Sequence, residues 1–166
     1  MVERLEQKLA VLFVCLGNIC RSPMAEGAFR AAAQKAGLEC TVGSAGTASY
    51  HIGETPDPRA IAMAKEHGVD ISEARGQQLE RDDFYAFTHI FALDNANLQG
   101  IKATAPRDGL ANVALLMDAV EGCEGQAIKD PYYGDIDDFR LAWSEIDRAV
   151  AALIARFREH GLKAQF

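Results

Sequence analysis

The sequence of 166 residues has few cysteines and no long apolar run. Its four cysteines, Cys15, Cys20, Cys40 and Cys123, are too few for a disulfide scaffold in a chain of this length. None has the C-x-x-C spacing of a zinc knuckle or a redox motif, and we predict no metal site and no cofactor. The longest early apolar stretch, residues 9–16, is far too short to span a membrane.

Positive charge is scarce as well. Seventeen Lys and Arg against 24 Asp and Glu give a formal net charge of −7. This balance argues against broad binding of nucleic acid or anionic membranes, although it permits a small local anion site. Residues 1–8 lack the pattern of a secretion signal, so we predict a flexible extension there and a cytoplasmic protein.

The remaining composition is that of one globular domain covering residues 1–166, since 49% of the residues are hydrophobic and 25% are charged. We predict strands at residues 9–14, 41–44, 89–93 and 113–117, and helices at residues 23–36, 59–67, 94–102 and 135–160. Strands that alternate with helices predict an α/β fold of three layers, an open sheet of four parallel strands flanked by helices.

The last helix has the clearest pattern. Its apolar residues recur at steps of three or four and form one stripe: Phe139, Trp143, Ile146, Val150, Leu153 and Phe157. Asp135, Asp137 and Asp138 lie at its start, where the helix dipole favours acidic side chains.

The loop after the first predicted strand has the residues of an anion site. Residues 15–22 read Cys-Leu-Gly-Asn-Ile-Cys-Arg-Ser, a cysteine and an arginine separated by five residues. In open α/β sheets, ligands bind at the carboxyl ends of strands, often against a helix N-terminus. The N–H groups of Leu16 to Ser22 are expected to form an anion nest, and Gly17 and Asn18 tolerate the left-handed backbone that such a ring needs.

These residue types favour phosphoryl chemistry. The loop N–H groups and the helix dipole favour the thiolate of Cys15, a good nucleophile, and the fork of Arg21 matches two phosphoryl oxygens. We expect Ser22 to cap the helix, with Pro23 at its first position, and to donate its hydroxyl to the Cys15 sulfur. The alternative is a buried cysteine beside an arginine in a surface ion pair.

Transfer of a phosphoryl group through cysteine also needs a proton donor for the leaving oxygen. Asp130 is a candidate, because Pro131 restricts the backbone of the residue before it. The local sequence favours a catalytic acid and the start of an Asx turn about equally.

Several segments resemble the low-molecular-weight protein tyrosine phosphatase (acid phosphatase) family. Residues 11–23 are similar to the signature strand and loop of that family, and residues 130–134 are similar to its acid loop. Further similarity lies in residues 44–47, in residues 50–53 and in the helix start at Asp94, so that the resemblance covers residues 9–157.

The resemblance implies a protein-tyrosine phosphatase that hydrolyses phosphotyrosine and small aryl phosphates through a phosphocysteine. Cys15 would be the nucleophile, Arg21 and the loop amides would bind phosphate, and Asp130 would act as general acid and then as general base. The implied substrate-binding residues are Leu16, Gly17, Asn18, Ile19, Cys20, Ser22, Tyr50, Tyr132 and Tyr133. We expect a bacterial monomer whose partners are a phosphotyrosine protein and a tyrosine kinase, with no nucleic acid and no membrane partner.

Two features of the loop stay open. The resemblance implies that Cys20 protects Cys15 by a disulfide, and the alternative is a small core residue. Family members often place a supporting His in a stretch that corresponds to residues 72–77, which have none, so Ser44 is the expected support of Asn18. We take the other two cysteines as structural, and we assign no metal or base role to the four histidines.

Two other functions compete with the phosphatase. An arsenate reductase of the same fold would use the same loop, but its relay needs cysteines close together late in the chain, where only Cys123 lies. A non-catalytic phosphoanion or redox sensor would not need Cys15, Arg21 and Asp130 together.

Overall fold

The structure, a computed structural model, describes residues 7–166. Its elements are β1 (Ala10–Cys15), α1 (Arg21–Ala36), β2 (Thr41–Gly46), α2 (Pro58–Glu66), α3 (Asp83–Ala86), β3 (His89–Ala92), α4 (Asn95–Thr104), β4 (Asn112–Leu115) and α5 (Ile136–His160). The four strands form one parallel sheet in the order β2-β1-β3-β4. The predicted fold is therefore confirmed, while residues 1–6 of the predicted flexible extension lie outside the described residues.

The sheet has helices on both faces, which explains why β1 is apolar throughout. Val11 and Phe13 pack into the larger core beneath α1, α2 and α5, whereas Leu12 and Val14 pack into the smaller core with residues of α3 and α4. Side chains of a strand alternate between the two faces, so a strand covered on both faces reads as a continuous apolar run.

Helix α5 covers the larger core with the predicted stripe, all six residues of which are buried. Its start is held by a capping box, in which Asp135 Oδ1 accepts from the N–H groups of Asp137 and Asp138. The Asp138 carboxylate accepts in turn from the N–H of Asp135. Within residues 7–166, no helix is both long and apolar enough to cross a membrane.

Two local predictions were wrong, and one short element was missed. Helix α1 begins at Arg21 with Cys20 as its N-cap, so Ser22 lies inside the first turn and does not cap it. Strand β4 ends at Leu115, and a 3₁₀ turn, Leu116–Ala119, replaces the last part of the predicted strand. The short helix α3 was not predicted, because four residues carry too little periodicity to be recognised.

Candidate active site

The loop between β1 and α1, residues 15–22, forms the floor of a cavity of about 190 Å³ at the carboxyl end of the sheet. The cavity is lined by Cys15, Leu16, Gly17, Ile19, Cys20, Arg21, Tyr50, His51, Asp130, Tyr132 and Tyr133. All three predicted catalytic residues are thus brought together. Asn18, Ser22 and Ser44 are buried and lie outside the lining, where their side chains hold the loop.

The Cys15 sulfur lies at the bottom of this cavity beside the Ser22 hydroxyl, with Sγ and Oγ 2.9 Å apart. The Asn18 side-chain amide donates to the same Ser22 Oγ at 2.8 Å, so the hydroxyl hydrogen is available to the sulfur, with the Ala45 carbonyl at 3.4 Å as the more distant acceptor. Ser22 lies in the first turn of α1 rather than at its N-cap, and its hydroxyl contacts the Cys15 sulfur instead of the first N–H groups of the helix.

Asn18 holds the loop in shape with a left-handed backbone, φ 59°. Its Nδ2 also donates to Ser44 Oγ at 3.0 Å, and its Oδ1 accepts from the backbone N–H of Gln77 at 3.0 Å. Ser44 thus contacts Asn18, as the predicted support requires, and the Gln77 N–H is a second contact. Gly17 does not share the left-handed conformation; a Cβ there would lie 2.9 Å from the His51 ring, which would have to shift to make room.

The support continues behind Ser44 into two other elements. Ser44 Oγ donates to the Glu26 carboxylate on α1 at 2.6 Å, and the Gln77 side chain donates to the Ser44 carbonyl at 2.8 Å. The strand end is also tight, because a Cβ on Gly46 would lie 2.6 Å from the Leu16 carbonyl oxygen. The loop is consequently braced from outside by β2, α1 and the segment around Gln77.

Arg21 is almost fully buried, with 2% of its surface exposed, and its guanidinium is held along one edge. Nη1 donates to Asp94 Oδ2 and to the Ile128 carbonyl, both at 2.8 Å. Among the described residues Nε has no hydrogen-bond partner. A buried donor without a partner is costly, so this edge of the guanidinium is suited to an anion in the cavity.

Asp94 is a functional residue that the sequence analysis did not assign to the site. Its Oδ1 caps α4 by accepting from Asn97 N at 2.7 Å, while Oδ2 orients Arg21. The available signal was its position at the end of β3, because parallel neighbours β1 and β3 end at the same edge of the sheet. The Ile128 carbonyl had no such signal, since it is a backbone group.

Asp130 makes the Asx turn that was one of its two predicted roles, while the role of catalytic acid stays a prediction. Its Oδ1 accepts from Tyr132 N at 3.1 Å, an Asx-turn contact, and its Oδ2 lies 3.6 Å from Arg21 Nη2. The turn therefore orients the second carboxylate oxygen towards the anion-binding side of the cavity.

Aromatic side chains form the mouth of the cavity. Tyr50 and Tyr133 are 74% and 94% exposed, and the Tyr132 and Tyr133 rings meet edge to face with centroids 4.9 Å apart. His51, to which we assigned no role, also lines the cavity, and its Nδ1 contacts the Glu54 carboxylate.

Cys20 is buried, and burial is the largest cause of a strongly raised pKa of its thiol, followed by the nearby negative charges of Asp57 and Cys15. The thiol of Cys20 therefore stays protonated at neutral pH and does not compete with Cys15 as a nucleophile. All four cysteines are free in the structure, and the protective disulfide stays a prediction.

Comparison with known proteins agrees with this geometry. A family model described as low molecular weight phosphotyrosine protein phosphatase matches residues 10–163. Proteins of that name from Saccharomyces cerevisiae and Schizosaccharomyces pombe are 40% and 42% identical, over 84% and 80% of this chain and 89% and 86% of theirs. A low molecular weight protein-tyrosine-phosphatase from Streptomyces coelicolor is 40% identical over 90% of this chain and 93% of its own.

Solved structures are similar along nearly the whole chain. A protein tyrosine phosphatase from Entamoeba histolytica, with Hepes in its active site, has a TM-score of 0.86 and 32% identity, covering 92% of this chain and 98% of its own. YfkJ from Bacillus subtilis has a TM-score of 0.85 and 33% identity, covering 92% and 96%. With Cys15 and Arg21 placed in its phosphate-binding loop, this chain belongs to the low molecular weight phosphotyrosine protein phosphatase family.

Proposed function

We propose that this protein hydrolyses phosphotyrosine in proteins, and small aryl phosphates, through a phosphocysteine intermediate. The observation that carries the proposal is the convergence of Cys15, Arg21 and Asp130 in one cavity walled by tyrosines. The cavity volume of about 190 Å³ suits one aromatic ring, since a cavity of roughly 150 Å³ is known to hold benzene.

In the first step, the Cys15 thiolate attacks phosphorus, and the bond between phosphorus and the phenolic oxygen breaks. The Arg21 guanidinium and the loop N–H groups hold the three phosphoryl oxygens, over which negative charge is spread in the transition state. Asp130 gives its proton to the departing phenolate, which leaves as the neutral phenol.

In the second step, water attacks the phosphocysteine and the phosphorus–sulfur bond breaks. The Asp130 carboxylate takes a proton from that water, which returns the acid to its first state. Ser22, 2.9 Å from the sulfur, donates its hydroxyl hydrogen to the leaving thiolate. Inorganic phosphate is then released.

Hydrolysis of p-nitrophenyl phosphate tests the proposal directly. We expect turnover by the wild type, no detectable turnover by Cys15→Ser, and wild-type turnover by Cys123→Ser, since Cys123 does not line the cavity. Thiol-dependent consumption of arsenate without phosphatase activity would instead show a reductase, and binding of phosphate without either activity would show a sensor.

We also propose that the enzyme acts as a monomer in a reducing compartment, the cytoplasm. Cys15, Arg21 and Asp130 already meet within a single chain, and Cys15 has to remain a free thiol in order to act. A tyrosine kinase would supply the substrate. The similar proteins include eukaryotic and bacterial ones, so a bacterial source stays a prediction.

A further inference from the structure

We propose that Arg59 is a positioning residue for the acid loop, residues 130–134, and holds Asp130 beside the phosphoryl group. The proposal rests on the proposed function, because it concerns the proton that Asp130 donates. Arg59 belongs to α2, lies outside the cavity lining, and contacts the acid loop from behind.

The guanidinium of Arg59 binds the backbone of the acid loop at two points. Nη2 donates to the Tyr132 carbonyl and Nη1 donates to the Gly134 carbonyl, each at 2.9 Å. Its Cζ also lies 4.5 Å from the centre of the Phe139 ring and 5.8 Å from that of the Tyr132 ring. The loop is thus held on the carbonyls two and four residues after Asp130.

Asp57 orients the guanidinium from the other side. Arg59 Nε donates to Asp57 Oδ1 at 3.0 Å and Nη2 donates to Oδ2 at 2.9 Å, a two-point pairing of planar groups. The Asp57 side chain is only 9% exposed, and hydrogen bonding from Arg59 is the main cause that lowers its pKa. Asp57 is therefore charged at neutral pH and keeps the arginine in one orientation.

Asp57 also connects this pair to the phosphate-binding loop, residues 15–22. Its backbone N–H donates to the Ile19 carbonyl at 2.8 Å, and its carboxylate caps α2 by accepting from Arg59 N at 2.8 Å. A continuous path of hydrogen bonds therefore runs from the loop that holds the nucleophile, through Asp57 and Arg59, to the loop that holds the acid.

Arg140 shows what an ordinary surface arginine of this protein does. It is half exposed and pairs with Glu66 and Asp137, at 3.4 and 2.9 Å, without contacting the backbone of the acid loop. Pairs of this kind contribute little to stability. Arg140→Gln is therefore the matched control for a change at Arg59.

The leaving group distinguishes positioning of the acid from general damage. Phenol, like tyrosine, has a pKa of about 10 and leaves only with a proton, whereas 2,4-dinitrophenol is weakly basic and leaves as the anion. A displaced Asp130 should therefore slow cleavage of phenyl phosphate and spare cleavage of 2,4-dinitrophenyl phosphate. A distorted phosphate-binding loop would slow both equally.

The experiment measures kcat/KM for both esters in Arg59→Gln, Arg59→Lys, Asp130→Asn, the double variant Asp130→Asn with Arg59→Gln, and Arg140→Gln. We expect Arg59→Gln to lose about tenfold on phenyl phosphate and less than about twofold on the dinitrophenyl ester. Arg59→Lys should lose nearly as much, since an ammonium cannot bind two carbonyls and a carboxylate in the same plane. In the double variant, adding Arg59→Gln to Asp130→Asn should lower kcat/KM for phenyl phosphate by less than about twofold relative to Asp130→Asn alone.

Equal losses on the two esters, an additive loss in the double variant, or wild-type values in Arg59→Lys would overturn the positioning role. If Arg59→Gln does not fold, Arg59→Lys provides the same comparison. If Asp130→Asn itself affects both esters alike, the assignment of Asp130 as the acid fails, and the role of Arg59 fails with it. If Asp130→Asn slows only phenyl phosphate cleavage and the Arg59 variants slow neither ester, Asp130 remains the acid and only the positioning role of Arg59 is rejected.

Discussion

Arg21 is a buried charge whose position depends on a small number of partners. Asp94 is the charged partner at hydrogen-bond distance, and it is also the cap of α4, so one carboxylate serves both the site and the helix. The guanidinium of Arg21 needs this orientation in order to present Nε and Nη2 to a phosphoryl group.

We therefore predict that Asp94→Asn raises KM for aryl phosphates about tenfold, because the neutral amide holds the arginine less firmly. It should also lower the free energy of unfolding by about 1–3 kcal/mol, since a buried charge loses its counter-charge. Steady-state kinetics and urea unfolding measure the two effects. Asp108→Asn, an exposed carboxylate that accepts from Tyr85 at 2.6 Å, is the control and should leave KM unchanged.

At the level of elements, the end of β2 and the phosphate-binding loop are in direct contact. Gly46 pairs with Cys15 across the two strands, and no side chain fits there, because its Cβ would press on the Leu16 carbonyl and on Asn18 N. Gly43, three residues earlier on the same strand, faces the Phe87 and Leu12 side chains instead. A methyl group at Gly46 would therefore displace the phosphate-binding loop, whereas one at Gly43 would displace only core side chains.

We predict that Gly46→Ala lowers kcat/KM by more than about tenfold, because the loop has to move to make room for the methyl group. Gly43→Ala should lose stability, by about 1–3 kcal/mol, while its kcat/KM stays within about twofold of the wild type. Kinetics together with thermal unfolding separate the two cases. Similar kinetic losses in both variants would show that the strand acts on activity only through overall stability.

The elements also show what the sequence could and could not reveal. The apolar run of β1 and the stripe of α5 predicted their positions, because periodicity and burial are local properties of the chain. The nucleophile loop was recognisable for the same reason, since its residues are consecutive. The contacts that orient Arg21 and support Asn18 join distant segments, and two of the partners, the Ile128 carbonyl and the Gln77 N–H, are backbone groups present at almost any residue.

The whole molecule combines an acidic surface with a site for a dianion. The formal charge is −7, and two acidic side chains, Asp94 and Asp130, lie beside Arg21 itself. Attraction of the substrate therefore comes from short-range groups, namely one guanidinium edge and the loop N–H groups, rather than from the overall field.

The stability of the whole molecule also depends on a histidine in the sheet. His89 of β3 is fully buried, and its Nε2 donates to the Ala164 carbonyl at 3.1 Å, which joins the C-terminal segment to the sheet. Burial is the main cause that lowers its pKa. In the folded protein the imidazole is therefore neutral at a pH where the unfolded chain, with an ordinary pKa of about 6.5, already binds a proton.

We predict that the contribution of His89 to the free energy of unfolding is constant above about pH 6.5. Below that pH the contribution falls, until the pH reaches the lowered pKa of the folded state. His89→Gln should be less stable at neutral pH but should lose this part of the pH dependence. Urea unfolding at several pH values measures the slope. His160→Gln, a change at an exposed histidine, should keep the wild-type slope, and an unchanged slope in His89→Gln would contradict the assignment.

The bracing of the phosphate-binding loop has a consequence for the end of each turnover. Ser44, Gln77 and Asp57 hold the loop through contacts within the protein, so its donors are in place before a phosphoryl group binds and remain in place after the ester is gone. Free phosphate offers those donors the same oxygens as the substrate does. The enzyme is thus expected to be inhibited competitively by inorganic phosphate, its own product. Its rate in a cell would fall as the phosphate concentration rises and would increase with the supply of phosphotyrosine.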